Sequence, residues 1–324
     1  MRNLNNQRNI SRAIGEVFLI VLSILFALFI NNLNDQRKFR KVVDRNFIRV
    51  AKELEINISD SQYAIKALHK KDSLLYMAVY DSIKYSDYKT NYNLLKILNG
   101  SVYPILDDQA CQNLISLNNS ENTYKNDLIL DVQIFSTVKL FVKEDKIRMK
   151  DFVSDIGYPY YSKILSNYVG VYEYSNEERI NDLYNTVTSP EYRTLVYNYA
   201  HLNFLYVNTY LGFYKLAIET RNKICREYNL ENTAIVDTKD HVEKIIGFYT
   251  NENSDTINVF SRNDSVFIID KELYPLLYIS DNLYFTDTGK GDDHFASFYK
   301  EGDKRIASIH LKSDKEIYTK IIDP

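Results

Sequence analysis

Between Glu16 and Asp35 the chain carries no charged side chain, and residues 17–30 are all apolar except Ser23. A helix rises about 1.5 Å per residue, so the 18 residues 17–34 come close to the ~30 Å hydrocarbon core of a bilayer. The pattern predicts one transmembrane helix over residues 14–34. A cleaved export signal is the rival reading, but its apolar segment is usually about 7–15 residues and ends at small residues. Here the run ends at Phe29, Ile30, Asn31 and Asn32.

Past the span, apolar positions recur three and four apart at Val43, Phe47, Val50, Leu54, Ala64, Leu68, Leu75 and Val79, with polar gaps at Asn57, Ser61 and Asp72. That is one face of a long amphipathic helix. No Pro or Gly interrupts residues 16–99, so it is expected to continue directly from the span. The polar gaps favour packing against other helices over an ideal two-stranded coiled coil. Short helices are expected at 91–98, stopped by Asn99-Gly100, and at 107–117.

Residues 124–156 repeat the spacing through Tyr124, Leu128, Phe135, Val138, Val142, Met149, Phe152 and Ile156, and Gly157-Tyr158-Pro159 is expected to break that helix. Residues 158–189 are polar and Tyr-rich with weak periodicity. Ser189-Pro190-Glu191 then supplies an N-cap, a first-turn proline and an early acid. From there Tyr192, Tyr199, Tyr206 and Phe213 repeat every seven residues, flanked by Leu195, Leu202 and Leu216, to an end near Tyr228-Asn229. A stripe at this spacing reads as core.

From Ile245 the period falls to two. Residues 256–260, 266–269, 276–279, 283–285, 295–299, 306–311 and 317–321 read as short strands, separated by Asn263-Asp264, Asp281-Asn282, residues 288–291 and Glu301-Gly302-Asp303. Seven or eight strands at this spacing predict an antiparallel meander, closed or nearly so. Helices first and strands last make the chain α+β. The expected divisions are a basic tail (1–13), the span (14–34), a helical domain with a bundle-like core (35–229), a linker (230–243) and a small β-domain (244–324).

Charge sharpens the picture. The net charge is −3, yet residues 1–49 hold Arg2, Arg8, Arg12, Arg37, Lys38, Arg40, Lys41, Arg45 and Arg49 against Glu16, Asp35 and Asp44. A basic cluster beside an apolar span fits anionic headgroups rather than nucleic acid. Charge on both sides of the span leaves orientation open, because large domains cross with little regard to it. Glu16, one turn into the apolar run, either reaches the interface near the helix amino end or contacts a partner helix, with Gly15 allowing close approach.

Little points to chemistry. His69, His201, His241, His294 and His310 show no zinc-binding spacing, and nine glycines assemble no phosphate loop. Cys111 and Cys225 have no metal-ligand neighbour and read as two isolated buried thiols. Ser297-Phe298-Tyr299-Lys300 matches a serine-x-x-lysine pattern, but in a strand residues three apart face opposite sides. Asp292-Asp293-His294 offers oxygen and nitrogen ligands for a cation, the basis of the least favoured, enzymatic reading, and reads more simply as a solvated turn. No catalytic, cofactor or metal site is therefore expected.

Two stretches resemble known proteins. Ala13-Ile14-Gly15-Glu16-Val17, the apolar run, and Ile30-Asn31-Asn32-Leu33-Asn34 resemble the anchor of a family of uncharacterised bacterial single-span proteins. Tyr103, Leu106, Leu114 and Ile115 sit where that family has a short tyrosine-bearing helix. The resemblance implies an inner-membrane location, with the bulk outside the cytoplasm in the periplasm, and supplies no catalytic residue. The tail, from Ile246-Gly247-Phe248-Tyr249 through Phe285 and Phe298 to Ile309, looks like small β-domains appended to bacterial envelope proteins and to relatives of serine hydrolases, which implies an accessory role.

The expected function is that of a non-catalytic interaction or scaffold subunit of the cell envelope. Its expected partners are the bilayer and other membrane proteins or further copies of the chain. The alternative is a tethered sensor that holds a small ligand in the β-domain or the Tyr-rich helices.

Overall fold

A computed structural model describes residues 2–79, 83–84, 87, 94, 97–98, 103–118, 124–166, 181, 184–231, 239–262, 265–269, 273–280, 282–286, 294–311 and 314–321. Long helices come first and an eight-stranded antiparallel barrel last.

Helix α1 (Arg2–Val79) is one unbroken run of 78 residues, about 117 Å long at the usual rise. The apolar segment and the amphipathic segment are thus one helix, as the absence of Pro and Gly predicts. Val43, Phe47, Val50, Leu54, Ala64, Leu68 and Leu75 are all buried, and Val79 packs at the edge of the same core. The polar gaps Asn57 and Ser61 also point inward and are 0 % exposed.

Three further helices close around that face. Helix α2 (Gln109–Ser116) and helix α3 (Asn126–Phe152) flank it. Helix α5 (Pro190–Tyr228) lies against both α1 and α3. The start of α5 follows the sequence: the Tyr192 amide donates to Ser189 Oγ at 3.3 Å and Pro190 fills the first turn. Its end is Asn229, in the left-handed region at φ 50°, where Asn is tolerated. Tyr192, Tyr199, Tyr206 and Phe213 are buried, as are Tyr210 and Tyr214. The tyrosine stripe is core.

Two expectations need correction. Gly157-Tyr158-Pro159 does not end the helix: residues Val153–Gly157 form a π turn and the chain continues as helix α4 (Tyr158–Ser166). Gly157 is buried against the main chain of Leu98, where an added Cβ would stand 2.4 Å from the Leu98 carbonyl oxygen. The wider turn shifts the helical register, so Ile156 is exposed instead of continuing the buried face. Second, residues 230–243 are not all linker, since Lys239–Ile245 forms helix α6. The expected helix at 91–98 lies largely outside the described residues; Leu94 is helical and Ile97–Leu98 form a turn.

The barrel comprises β1 (Gly247–Thr250), β2 (Thr256–Arg262), β3 (Ser265–Ile269), β4 (Leu273–Ser280), β5 (Leu283–Thr286), β6 (His294–Glu301), β7 (Lys304–Leu311) and β8 (Asp314–Lys320). Each strand pairs with the next, and β1 closes on β8 through Tyr249↔Lys320 and Thr250↔Thr319. The interior is filled by Tyr249, Ile257, Val259, Ile268, Leu276, Tyr284, Phe298 and Tyr318 with the small Ala296 and Ala307, as an eight-stranded barrel has room only for side chains.

One outer wall of the barrel is also apolar. Ile279, Leu283, Phe285 and Phe295 belong to the same buried core as α1, α3 and α5. Strand β5 is therefore buried on both faces, with Tyr284 in the barrel and Phe285 against the helices. The Tyr214 hydroxyl donates to the Tyr278 carbonyl at 2.6 Å and accepts from Gln62 Nε2 at 3.2 Å. The His69 ring lies 4.4 Å from that of Phe295.

Candidate functional site

Four regions were built by residues that packing alone does not explain. The first is the apolar stretch of α1. Val17, Phe18, Leu19, Phe26 and Phe29 are each about 60 % exposed, and the most apolar window of the helix has mean hydropathy 2.2 with 0 % of it buried. A core helix would hide such residues; this one is long and apolar enough to cross a membrane. Lys38, Lys41, Arg45 and Arg49 follow on exposed positions. Their interleaved neighbours Val43, Phe47 and Val50 are buried.

Just beyond, Asp44 ties three helices together. Its carboxylate accepts from Tyr124 Oη at 2.9 Å and Tyr228 Oη at 2.6 Å. Lys125, left-handed at φ 57° where α3 begins, places Nζ 2.8 Å from Glu227 and 3.9 Å over the Tyr228 ring. Burial, and then the bond to Asp44, pushes the Tyr228 phenol well above its usual range. This fixes the end of α5 to the start of α3 at the edge of the basic segment.

The second region is the outer face of α3. Leu130, Ile134 and Phe141 are spaced four and seven apart on the face opposite buried Val132, Phe135 and Val142. They are 54 %, 45 % and 53 % exposed, and Leu140 and Ile147 beside them are 57 % and 49 % exposed. Scattered exposed apolar residues are ordinary; these three share one side of the helix.

The third region is a cavity of about 280 Å³ at one end of the barrel. Its floor is Tyr249 and Phe298, both buried, with ring centroids 5.8 Å apart. Its rim carries Lys244, Lys300 and Arg305. Helix α6 ends there: the carbonyls of Lys244, Ile245 and Ile246 accept from Arg305 Nη1 (2.7 Å), Tyr249 Oη (2.7 Å) and Lys320 Nζ. Three donors thus satisfy carbonyls that a helix end leaves open, and Ile245 is drawn into the barrel core.

The fourth is Lys71, whose Nζ bonds the Tyr199 hydroxyl and lies 4.4 Å over its ring. Burial lowers its pKa to about 7. The Phe152 ring lies 5.5 Å from that of Tyr199.

The residues weighed in the sequence do not converge. Ser297 and Lys300 lie on β6, where Ser297 faces Ser308 and Lys300 faces Arg305 across the ladder. His294 opens β6 opposite Thr286, while Asp292 and Asp293 fall outside the described residues. No metal-capable group of His, Cys, Asp or Glu occurs among the described residues. Cys111 and Cys225 are both free and buried, and burial beside Glu53 raises the Cys111 thiol far above the range of a reactive thiolate. The barrel-end cations were missed because Lys244, Lys300 and Arg305 meet only when the strands close. Profiles of known families, curated proteins and solved structures were all compared with this chain, and none matches.

Proposed function

We propose that this protein is a membrane-anchored, non-catalytic interaction subunit of the bacterial cell envelope. Residues 14–34 hold it in the inner membrane, and residues 35–229 and 244–324 form its helical and barrel domains on the periplasmic side. The observation that carries the reading is the exposed stripe Leu130, Ile134 and Phe141, on a helix whose opposite face is fully engaged. A chain tethered in a bilayer meets partners in two dimensions, so a modest apolar stripe suffices where a soluble protein would need a larger one. Other membrane proteins or a second copy of the chain are the partners this surface fits.

A photo-crosslinking residue at Phe141 tests this in native membranes. The expected result is a discrete higher-mass adduct that disappears when Ile134 is replaced by Asp. Recovery of only the uncrosslinked monomer, from membranes and from mild detergent alike, would refute the proposal.

A further inference from the structure

The barrel end has an arrangement that its own stability does not require. Lys300 and Arg305 stand directly opposite each other across the β6–β7 ladder, and like charges at such positions are destabilising. Lys244, at the end of α6, adds a third positive group to the same rim. No carboxylate lines the cavity among the described residues. Arg305 spends one N–H on the Lys244 carbonyl; the ammonium groups of Lys244 and Lys300 are exposed and have no ion pair among the described residues.

Below this rim the chemistry changes. Tyr299 lies at the wall, and Tyr249 and Phe298 form an aromatic floor whose polar demand is already met, because the Tyr249 hydroxyl donates to Ile245. The floor continues inward as packed rings, Phe298 to Tyr284 at 5.5 Å and Tyr284 to Tyr278 at 5.7 Å. Three cations at a mouth over an aromatic floor select for a charge joined to a flat or oily body.

We propose that the open end of the barrel binds a small molecule that carries an oxyanion, phosphate or carboxylate, on a compact aromatic or apolar group. The oxyanion sits between Lys244, Lys300 and Arg305, where it relieves the cross-strand repulsion, and the apolar part lies on Tyr249 and Phe298. A cavity of about 280 Å³ is just under the usual ligand range of about 300–1,000 Å³, which restricts the occupant to roughly one ring. The same phosphate chemistry is offered by the headgroup of an anionic phospholipid.

Calorimetric titration of the full chain in neutral detergent tests the site with phenyl phosphate, inorganic phosphate and benzyl alcohol. Phenyl phosphate is expected to saturate at one per chain, with the other two at least about tenfold weaker because each offers half of the recognition. Replacing both rim ammonium groups, Lys244→Gln with Lys300→Gln, is expected to weaken phenyl phosphate by about tenfold or more while the melting temperature without ligand holds or rises. Arg305 is left intact because it also caps α6. Displacement of phenyl phosphate by anionic phospholipid supports a headgroup as the source, and failure to displace supports a free small molecule. Absence of saturable binding, equal affinity for benzyl alcohol, or unchanged affinity in the double variant would each overturn the site.

Discussion

Single residues hold the helical part together through polar contacts that bridge distant segments. Asn57, fully buried on α1, donates to the Asp107 carbonyl at 2.6 Å and accepts the Asp107 amide at 3.0 Å. Four residues earlier, Glu53 accepts the amides of Ala110 and Cys111 at 2.7 and 3.2 Å. The carboxylate thereby does for α2 what an N-cap does from within a helix. Asn57→Ala strands both main-chain groups of Asp107 and is expected to cost about 2–3 kcal/mol, read as a lower midpoint in denaturant. Titration gives a second expectation. Lys71 has a folded pKa of about 7 against an ordinary 10.5, so the unfolded chain binds more protons between those values and stability rises with pH across that window. Burial raises the phenols of Tyr206, Tyr210, Tyr214 and Tyr249 above their ordinary 10. Their contribution is complete below pH 10 and is lost above it. Melting temperature should climb from neutral pH toward 10 and then fall. Lys71→Met should flatten the climb and leave the alkaline fall in place.

Elements differ in how far they can be read from the chain. Helix α5 announces both ends, because Ser189-Pro190-Glu191 and Asn229 act on their own neighbours. The strands likewise follow from alternation, since each has one face in the barrel. Strand β5 is the exception: it is buried on both sides, and its outer residues become core only because the helices lie against them. The π turn was not legible from local spacing, and the Leu98 main chain against which Gly157 packs lies 59 positions away. The same holds for Glu53, Asn57 and the barrel rim, whose partners are set by closure of the fold. Two glycines separate these cases experimentally. Gly212, inside α5, has nothing within 4 Å of an added Cβ, so Gly212→Ala should stabilise by about 0.5–1 kcal/mol. Gly157→Ala meets backbone at 2.4 Å and should destabilise by about 1–3 kcal/mol. Opposite shifts in thermal midpoint would verify both environments.

At the scale of the whole molecule, one helix joins the apolar amino-terminal segment to the core shared by the helices and the barrel. If residues 17–34 are held in lipid, as proposed, the chain should stay in the membrane pellet after a carbonate wash, and removal of residues 2–34 should release it. Barrel and helices should respond together, since Phe285 and Phe295 belong to the helical core; Phe285→Ala is expected to lower one shared thermal transition rather than split it. The unbroken length of α1 has a mechanical meaning. Its 78 residues contain no Pro, and the only Gly is Gly15, so no kink-forming residue separates the apolar segment from the core. The 45 residues of α1 after position 34 extend about 68 Å, and a tilt of only ~10° in a bilayer, within the usual range, would sweep the far tip sideways by about 12 Å. If residues 17–34 stand in a bilayer as proposed, such a stiff mast turns a small change in the lipid around its foot into a sideways displacement of its far tip.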